Sequence, residues 1–523
     1  MLAGFKTAKE HGELKKKCVQ PYEKQDLAMA AAIASKRLGK KCFQRLAGVS
    51  SISSALHSPL LPRQPSVGST GSGHPAENFR NICVQSACYR GLADASRELL
   101  DPKYGCTGQQ RWYARSNSEK AKPDADSIAT EMIKYAASCR NQESTHGEAI
   151  RVLEQGRGFL LNEGPSAASA TGRVLLTLAT FYADRARLAD AVEALQVASD
   201  LESAGLEVRV AALEALAGLC LRLQQEEPAL RYAHSCGQLV MAASDTVPED
   251  ELAEFKFRSK AVTALAALVC ARCGAADSKL FEDVPTWLGE NSRRTAGVSA
   301  AVFSIAQCAH VGGSLKIAGE LYEKAIAIIR NSKEGNEVTL ASVAMAPDEV
   351  HIGALAGLGQ LAAYKGDFDE AGKKITEALT LAEKINGDRH PRVGVILACL
   401  ADVYSRIGKT KGSGDSFIIS EGLYRKCQEY LGSPPVEVPD TGKALDLVDI
   451  MTLSRARYAE IVSKFPNRDL EAEKLRKWAS TMWKGPRPLA DLVKIDDVVK
   501  PSDGNVEGHV VIDVRLGRVI WKV

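Results

Sequence analysis

The sequence predicts an all-α protein built from repeated helical hairpins, and three observations carry that expectation. Aromatic residues make up only 6% of the 523 residues, while Ala and Leu are abundant, a balance that favours close-packed helices over a sandwich or barrel. A pattern of small and large apolar residues at helical spacing recurs along most of the chain. Glycine or a short polar run interrupts that pattern, so each stretch reads as two helices joined by a tight turn.

The front of the chain is a different object from the rest. Residues 1–113 carry 17 Lys and Arg against 8 Asp and Glu, a net of +9, whereas 114–523 carry 50 against 56, a net of −6. No acidic residue lies between Met29 and Pro75, and Lys36, Arg37, Lys40, Lys41 and Arg45 are interleaved with Ile33, Leu38, Phe43 and Leu46. A helix there has one basic and one apolar face, and its Ser-rich, acid-poor flanks complete the signature of an organelle transit peptide. Residues 1–28 include Glu10, Glu13, Glu23 and Asp26; they do not fit that signature and read as an upstream extension of the frame. The stretch "RWYARS" (111–116) resembles the plant mitochondrial presequence cleavage pattern, with Arg111 third before the cut and an aromatic immediately before it. Cleavage is therefore expected between Tyr113 and Ala114, although Arg115 departs from the usual small residue. Residues 29–113 are expected to be a disordered mitochondrial transit region, with the chloroplast as the alternative destination.

The clearest repeat is "LAGLGQLAAYKGDFDEAGKKITEALTL" (355–381). Leu355, Leu358, Gly359 and Ala362 mark one helix face, Gly366 breaks it, and Ala371, Ile375 and Ala378 mark a second. Small residues at Gly359, Ala371 and Ala378 suit a close helix crossing. The pattern returns at Leu175–Tyr182 with Ala191–Ala198, at Leu213–Cys220 with Ala229–Cys236, and at Val302–Gly313 with Ala318–Ala325. It returns again at Leu397–Gly408, where the second helix (Ser420, Tyr424, Cys427) is expected to be delayed by a loop containing "KTKGSGDS". Degenerate units stand around Ala149 and Leu153 and around Ala472 and Ala479, and a weak helix at 261–274 opens another repeat.

This small/large pattern is similar to that of the tetratricopeptide repeat (TPR) family, over roughly residues 125–485. The first-helix small residues Ala179, Ala217, Ala306, Gly359 and Ala401 are 38, 89, 53 and 42 residues apart, a drift that resembles the longer kinesin-light-chain type of repeat. The resemblance implies a TPR-type solenoid: helical hairpins that cannot bury their apolar faces alone stack into a right-handed superhelix. It also implies a concave groove lined by fixed first-helix positions. Here these are Glu214, Gly218 and Arg222; Phe303, Gln307 and His310; Ala356, Gln360 and Tyr364; Ala398, Asp402 and Arg406. Of these, Arg222, Gln307, His310, Gln360, Tyr364, Asp402 and Arg406 are the expected partner-binding residues. The carboxylate clamp of chaperone-binding members needs Lys and Asn where Ala356, Gln360, Val395 and Cys399 stand, so recognition of a chaperone's acidic terminus is not expected.

Residues 486–523 form a C-terminal extension, and "HVVIDVRLGRVIWKV" (509–523) alternates apolar and polar residues about Leu516-Gly517. That reads as a β-hairpin. A lone hairpin is barely stable, so it is expected to dock on the last helices or on a partner.

The sequence offers little chemistry. Gly408-Lys409-Thr410 resembles the end of a phosphate loop but lacks its leading glycine, since Val403 stands there, and it follows a helix rather than a strand. It reads as a solvated inter-helix loop. Cys270 and Cys273 have metal-knuckle spacing without a second pair, and Cys220, Cys236, Cys308, Cys399 and Cys427 read as small buried residues in a reducing compartment. His310 and His351 lack triad-like neighbours in sequence. No enzyme, metal, cofactor or membrane span is expected. The function expected is a non-catalytic mitochondrial scaffold that holds a protein or peptide in its groove. An organellar RNA-associated repeat factor stays open as the alternative, although the −6 of residues 114–523 lacks the phosphate-neutralising excess that such binding uses.

Overall fold

The structure, a computed structural model, describes residues 124–139, 143–270, 296–332, 347–437, 446–495 and 509–521. The expected extension, transit region and cleavage site, Tyr113 and Ala114 included, lie outside the described residues, as does Cys273.

Among the described residues, 16 α-helices follow one another, mostly as antiparallel neighbours. They are α1 (Ala125–Cys139) with α2 (Glu143–Asn162), α3 (Ala168–Asp184) with α4 (Leu188–Asp200), and α5 (Leu206–Arg222) with α6 (Glu226–Ala242). After α7 (Glu249–Val269) come α8 (Ala296–Val311) with α9 (Leu315–Ser332), and α10 (Pro347–Tyr364) with α11 (Phe368–Asn386). The array ends with α12 (Pro391–Lys411) and α13 (Gly414–Tyr430), α14 (Val448–Val462) and α15 (Asp469–Met482), and the short α16 (Leu489–Ile495). Each first helix packs on its own second helix and on the next hairpin. The expected all-α solenoid of helical hairpins is therefore the observed architecture. No described helix is long and apolar enough to cross a membrane.

The turn between α10 and α11 shows why the sequence breaks where it does. Gly366 sits at φ +79°, a left-handed conformation that glycine adopts at little cost. Asp367 then caps α11 by accepting the Glu370 N–H at 3.1 Å. Next, α12 starts with Pro391 at its first turn, where no N–H partner is needed.

The small residues stand where the helices cross. A Cβ on Gly359 would meet Ile375 Cγ1 at 2.4 Å and the Ala371 carbonyl at 3.1 Å. Ala371, Ile375 and Ala378 are themselves fully buried. In the degenerate units, Ala149, Leu153, Ala472 and Ala479 are fully buried as well.

Two expectations are corrected here. The stretch expected as the loop "KTKGSGDS" is mostly helix: α12 runs to Lys411, and only Gly412 and Ser413 separate it from α13. Gly408 is buried within α12 because the ring of Phe417 lies against it, 2.7 Å from where its Cβ would be. The weak helix expected at 261–274 begins at Glu249, twelve residues earlier than its apolar pattern, and ends at Val269.

The C-terminal hairpin consists of β1 (Val510–Asp513) and β2 (Arg518–Trp521), antiparallel, with Val511 opposite Ile520. Asp513 shapes its turn: one carboxylate oxygen accepts the N–H groups of Arg515 (2.8 Å) and Leu516 (3.0 Å), and Gly517 takes φ +64°. It docks on the last helices, as expected, through α14 and through Trp521 against Trp483 at 5.7 Å. It also touches α7, α8 and α10, and so reaches further into the array, against earlier first helices. It does not alternate buried with exposed: every residue from His509 to Trp521 is buried. Val510, Ile512, Val514, Val519 and Trp521 join an apolar cluster running from Phe257 through α8–α16. Val511, Leu516 and Ile520 join the cluster of α1–α8. Residues two apart share a strand face, so the two faces of the sheet are packed on two different cores.

Gly359→Leu should force α10 from α11 and destabilise the array by ~1–3 kcal/mol, the usual cost of overpacking. Denaturant unfolding of the full chain measures it, and an unchanged midpoint would refute the helix crossing described above.

Candidate functional site

Gln360 and Tyr364 are four residues apart on α10 and so share one helix face. Both read the main chain of β1. The Gln360 amide donates to the Ile512 carbonyl at 3.0 Å and accepts the Ile512 N–H at 2.8 Å. The Tyr364 hydroxyl donates to the Val510 carbonyl at 2.5 Å and accepts the Val510 N–H at 2.9 Å. Val511 and Asp513 turn the other way, towards β2. Two side chains of one helix thus stand in for a third strand and satisfy an edge that would otherwise leave buried polar groups unpaired.

The neighbouring first helices complete this wall. Arg406 of α12 lies over the Tyr364 ring at 4.6 Å and donates to Asp402 at 3.0 Å. Asp402 also pairs with Arg457 of α14 at 3.3 Å. Burial pushes the Asp402 carboxyl up, but Arg457 and Arg406 more than offset this and hold it below its usual range. On α8, His310 meets Tyr322 of α9 through Nδ1 at 3.3 Å and packs edge-on against Tyr364. His509, at the head of β1, is 4.5 Å from the Tyr364 ring and 6.1 Å from that of His310. The space left among Gln360, Tyr364, Asp402, Arg406, Arg457 and the hairpin is about 10 Å³, around the lower limit for one water.

The second strand is held by charge. Arg518 donates to Asp449 of α14 at 2.6 Å and to the Leu221 carbonyl near the C-terminal end of α5 at 2.6 Å, with Glu226 of α6 at 3.6 Å. Beside it, Arg222 pairs with Asp446 at 2.6 Å, and Gln224 donates to the other Asp449 oxygen at 2.9 Å. The end of α5 and the start of α14 therefore meet, although about 225 residues of chain separate them. At the turn, Arg515 is fully buried over the Phe303 ring, 4.8 Å from its centre, with Ser304 at 3.3 Å and Asp513 at 3.7 Å.

Of the seven expected groove residues, His310, Gln360, Tyr364, Asp402 and Arg406 are brought together around β1. Gln307 is buried one turn before His310 on α8. Arg222 stands apart, at the α5–α14 junction. Glu214 turns out to be one half of a buried ion pair with Arg258 of α7, at 2.6 Å. Sequence reasoning missed Asp449, Arg457, His509 and Arg518. The one available signal was the pair of arginines, Arg515 and Arg518, in an otherwise apolar segment, since buried arginines need partners.

The five cysteines read as structural are free and buried, and burial raises their thiols, that of Cys308 to about 12. Among the described residues no group of three His, Cys, Asp or Glu stands together as a metal site.

The class that the fold and this site define is a helical-hairpin repeat array whose first helices hold an extended strand. No protein-family model matches the chain, and no curated protein does. A solved structure described as Rap protein complexed with competence and sporulation factor is similar at 12% identity and a TM-score of 0.41, over 73% of this chain and 92% of that one.

Burial lowers the His310 pKa from 6.5 to about 3, helped by nearby His509 and Lys365. Burial also lowers that of His509, with Arg406 adding to it. The fold favours the neutral form of both rings, so the stability this gives is present above about pH 6.5 and is lost as pH falls below it. Unfolding measured from pH 8 to pH 4 should show stability falling below pH 6.5, with His310 supplying up to about 1.4 kcal/mol per pH unit. His310→Phe should flatten that slope; an unaltered slope would show that His310 does not carry it.

Proposed function

We propose that this chain is a non-catalytic protein-interaction scaffold of the mitochondrion, whose groove holds a protein or peptide segment in extended form. The observation that carries this reading is main-chain recognition by Gln360 and Tyr364. An amide and a hydroxyl on one helix satisfy alternate residues of a strand without reference to its side chains, the way strand addition gives affinity in peptide recognition. His310 packs against Tyr364 and His509, and Arg406, held by Asp402, lies over the Tyr364 ring, so these side chains support the residue that reads the strand; Gln307 and Arg222, the other expected groove residues, stand further along the same array. The mitochondrial assignment is supported by the acid-free amphipathic stretch after Met29 and by the cleavage-like "RWYARS".

Three measurements test the reading. A fusion of residues 29–113 to a fluorescent protein should enter mitochondria, and the mature N-terminus should fall at or near Ala114; signal confined to plastids or cytosol would overturn the location. Proximity labelling by the full chain in isolated mitochondria should then recover a protein whose capture survives high salt. Retention on RNA that disappears with salt would replace this reading with that of an RNA-associated factor.

A further inference from the structure

The groove is already filled by residues 509–521, and the manner of filling says what else fits there. We infer that the C-terminal hairpin is a built-in competitor for the groove. The partner segment that replaces it is a strand or hairpin of the same chemistry, apolar on both faces and carrying one cation that reaches Asp449. This rests on the reading of the groove as a peptide site.

Three observations lead to it. The hairpin has two strands of four residues each, too little to be stable alone, so its order depends on the groove. The hydrogen bonds from Gln360 and Tyr364 to β1 go to its main chain, and main-chain contacts transfer to any extended segment in the same register.

The third observation is the carboxylate of Asp449. The array holds it in place from its own side, through Gln224 at 2.9 Å, and it is 6% exposed. Its cation comes from the hairpin, as Arg518 at 2.6 Å. Once the hairpin leaves, the Asp449 carboxylate faces Glu226 without that cation, and two apolar clusters lose the layer between them. An empty groove is therefore disfavoured. The array is satisfied by its own hairpin or by a segment that brings an equivalent cation and equivalent apolar faces. This makes the exchange selective, since a purely apolar strand leaves Asp449 unpaired and a purely basic one leaves the clusters exposed. Covalent attachment presents the hairpin to its groove at an effective concentration on the order of millimolar, so a partner must be well matched to displace it.

The experiment uses the full chain and a fluorescently labelled synthetic peptide of residues 509–521, read by anisotropy. Arg518→Glu in the chain sets a carboxylate against Asp449 and Glu226 and should release the tethered hairpin. The native peptide should then bind the R518E chain about 10-fold or more tighter than it binds the unaltered chain, because the tethered competitor is gone. A peptide carrying Glu in place of Arg518 should bind neither of those chains. It should bind one carrying both Asp449→Arg and R518A, which has lost its own hairpin's cation.

Each other outcome is decisive. Equal, tight binding to the R518E and unaltered chains would mean that the hairpin does not compete; the inference falls and the groove reading stands. A folded R518E chain that binds no peptide would remove both. Loss of helical circular dichroism in R518E and also in the milder Arg518→Gln would make the hairpin a permanent part of the fold, and would overturn the inference alone.

Discussion

A sheet of two strands normally keeps one face for water, and the hairpin of this protein keeps neither. Val510 and Ile512 pack on one apolar cluster while Val511, between them, packs on the other. The same alternation holds for Val519, Ile520 and Trp521. Each such side chain contributes roughly 1.5–3 kcal/mol when fully buried, and it does so for two sets of helices that would otherwise face each other across a groove.

Charge gives this apolar contact its register. A strand that slips by one residue exchanges its faces, and here both faces are apolar, so hydrophobicity alone discriminates weakly between registers. Arg518 resolves the ambiguity: only one register places it between Asp449 and the Leu221 carbonyl. Asp513 and Arg515 fix the turn in the same way. The buried Glu214–Arg258 pair does comparable work between α5 and α7, and Gly297 is a glycine because the Arg258 guanidinium passes 2.4 Å from where its Cβ would be. Buried ion pairs are weak evidence of stability but can specify geometry.

The helical architecture was legible because it is local. Gly359 with Ala371 and Ala378, or Gly366 before Asp367, declares a crossing or a turn within a few residues of sequence. The hairpin was legible from Leu516-Gly517 for the same reason. What could not be read was how far into the array the hairpin reaches, because that depends on contacts such as Arg518 to Leu221, 297 residues apart. Five of the seven groove residues, taken from the resemblance to TPR repeats, stand on one wall, but their occupant was not foreseen. Asp449 escaped notice because it sits among residues whose importance appears only when α5 and α14 meet. Gly408 was misread for a subtler reason: a Gly-Lys-Thr run looks like a loop unless Phe417 is known to lie against it.

The hairpin follows all sixteen described helices in chain order, and its contacts bear on the order of assembly. Helical pairs such as α3 with α4 close loops of a few residues, so they can form as soon as their own sequence is available. The contacts of Arg518 close loops of 69 and 297 residues, and such long-range closures come late and slowly. A chain delivered N-terminus first would pass through a stage in which every helix exists and the inner wall is bare. In that interval the groove, with Gln360, Tyr364 and Asp449 exposed, is the stickiest surface the molecule ever presents. The window closes only when residues 509–521 dock, so the time that docking takes sets how long the half-made protein needs protection from its neighbours.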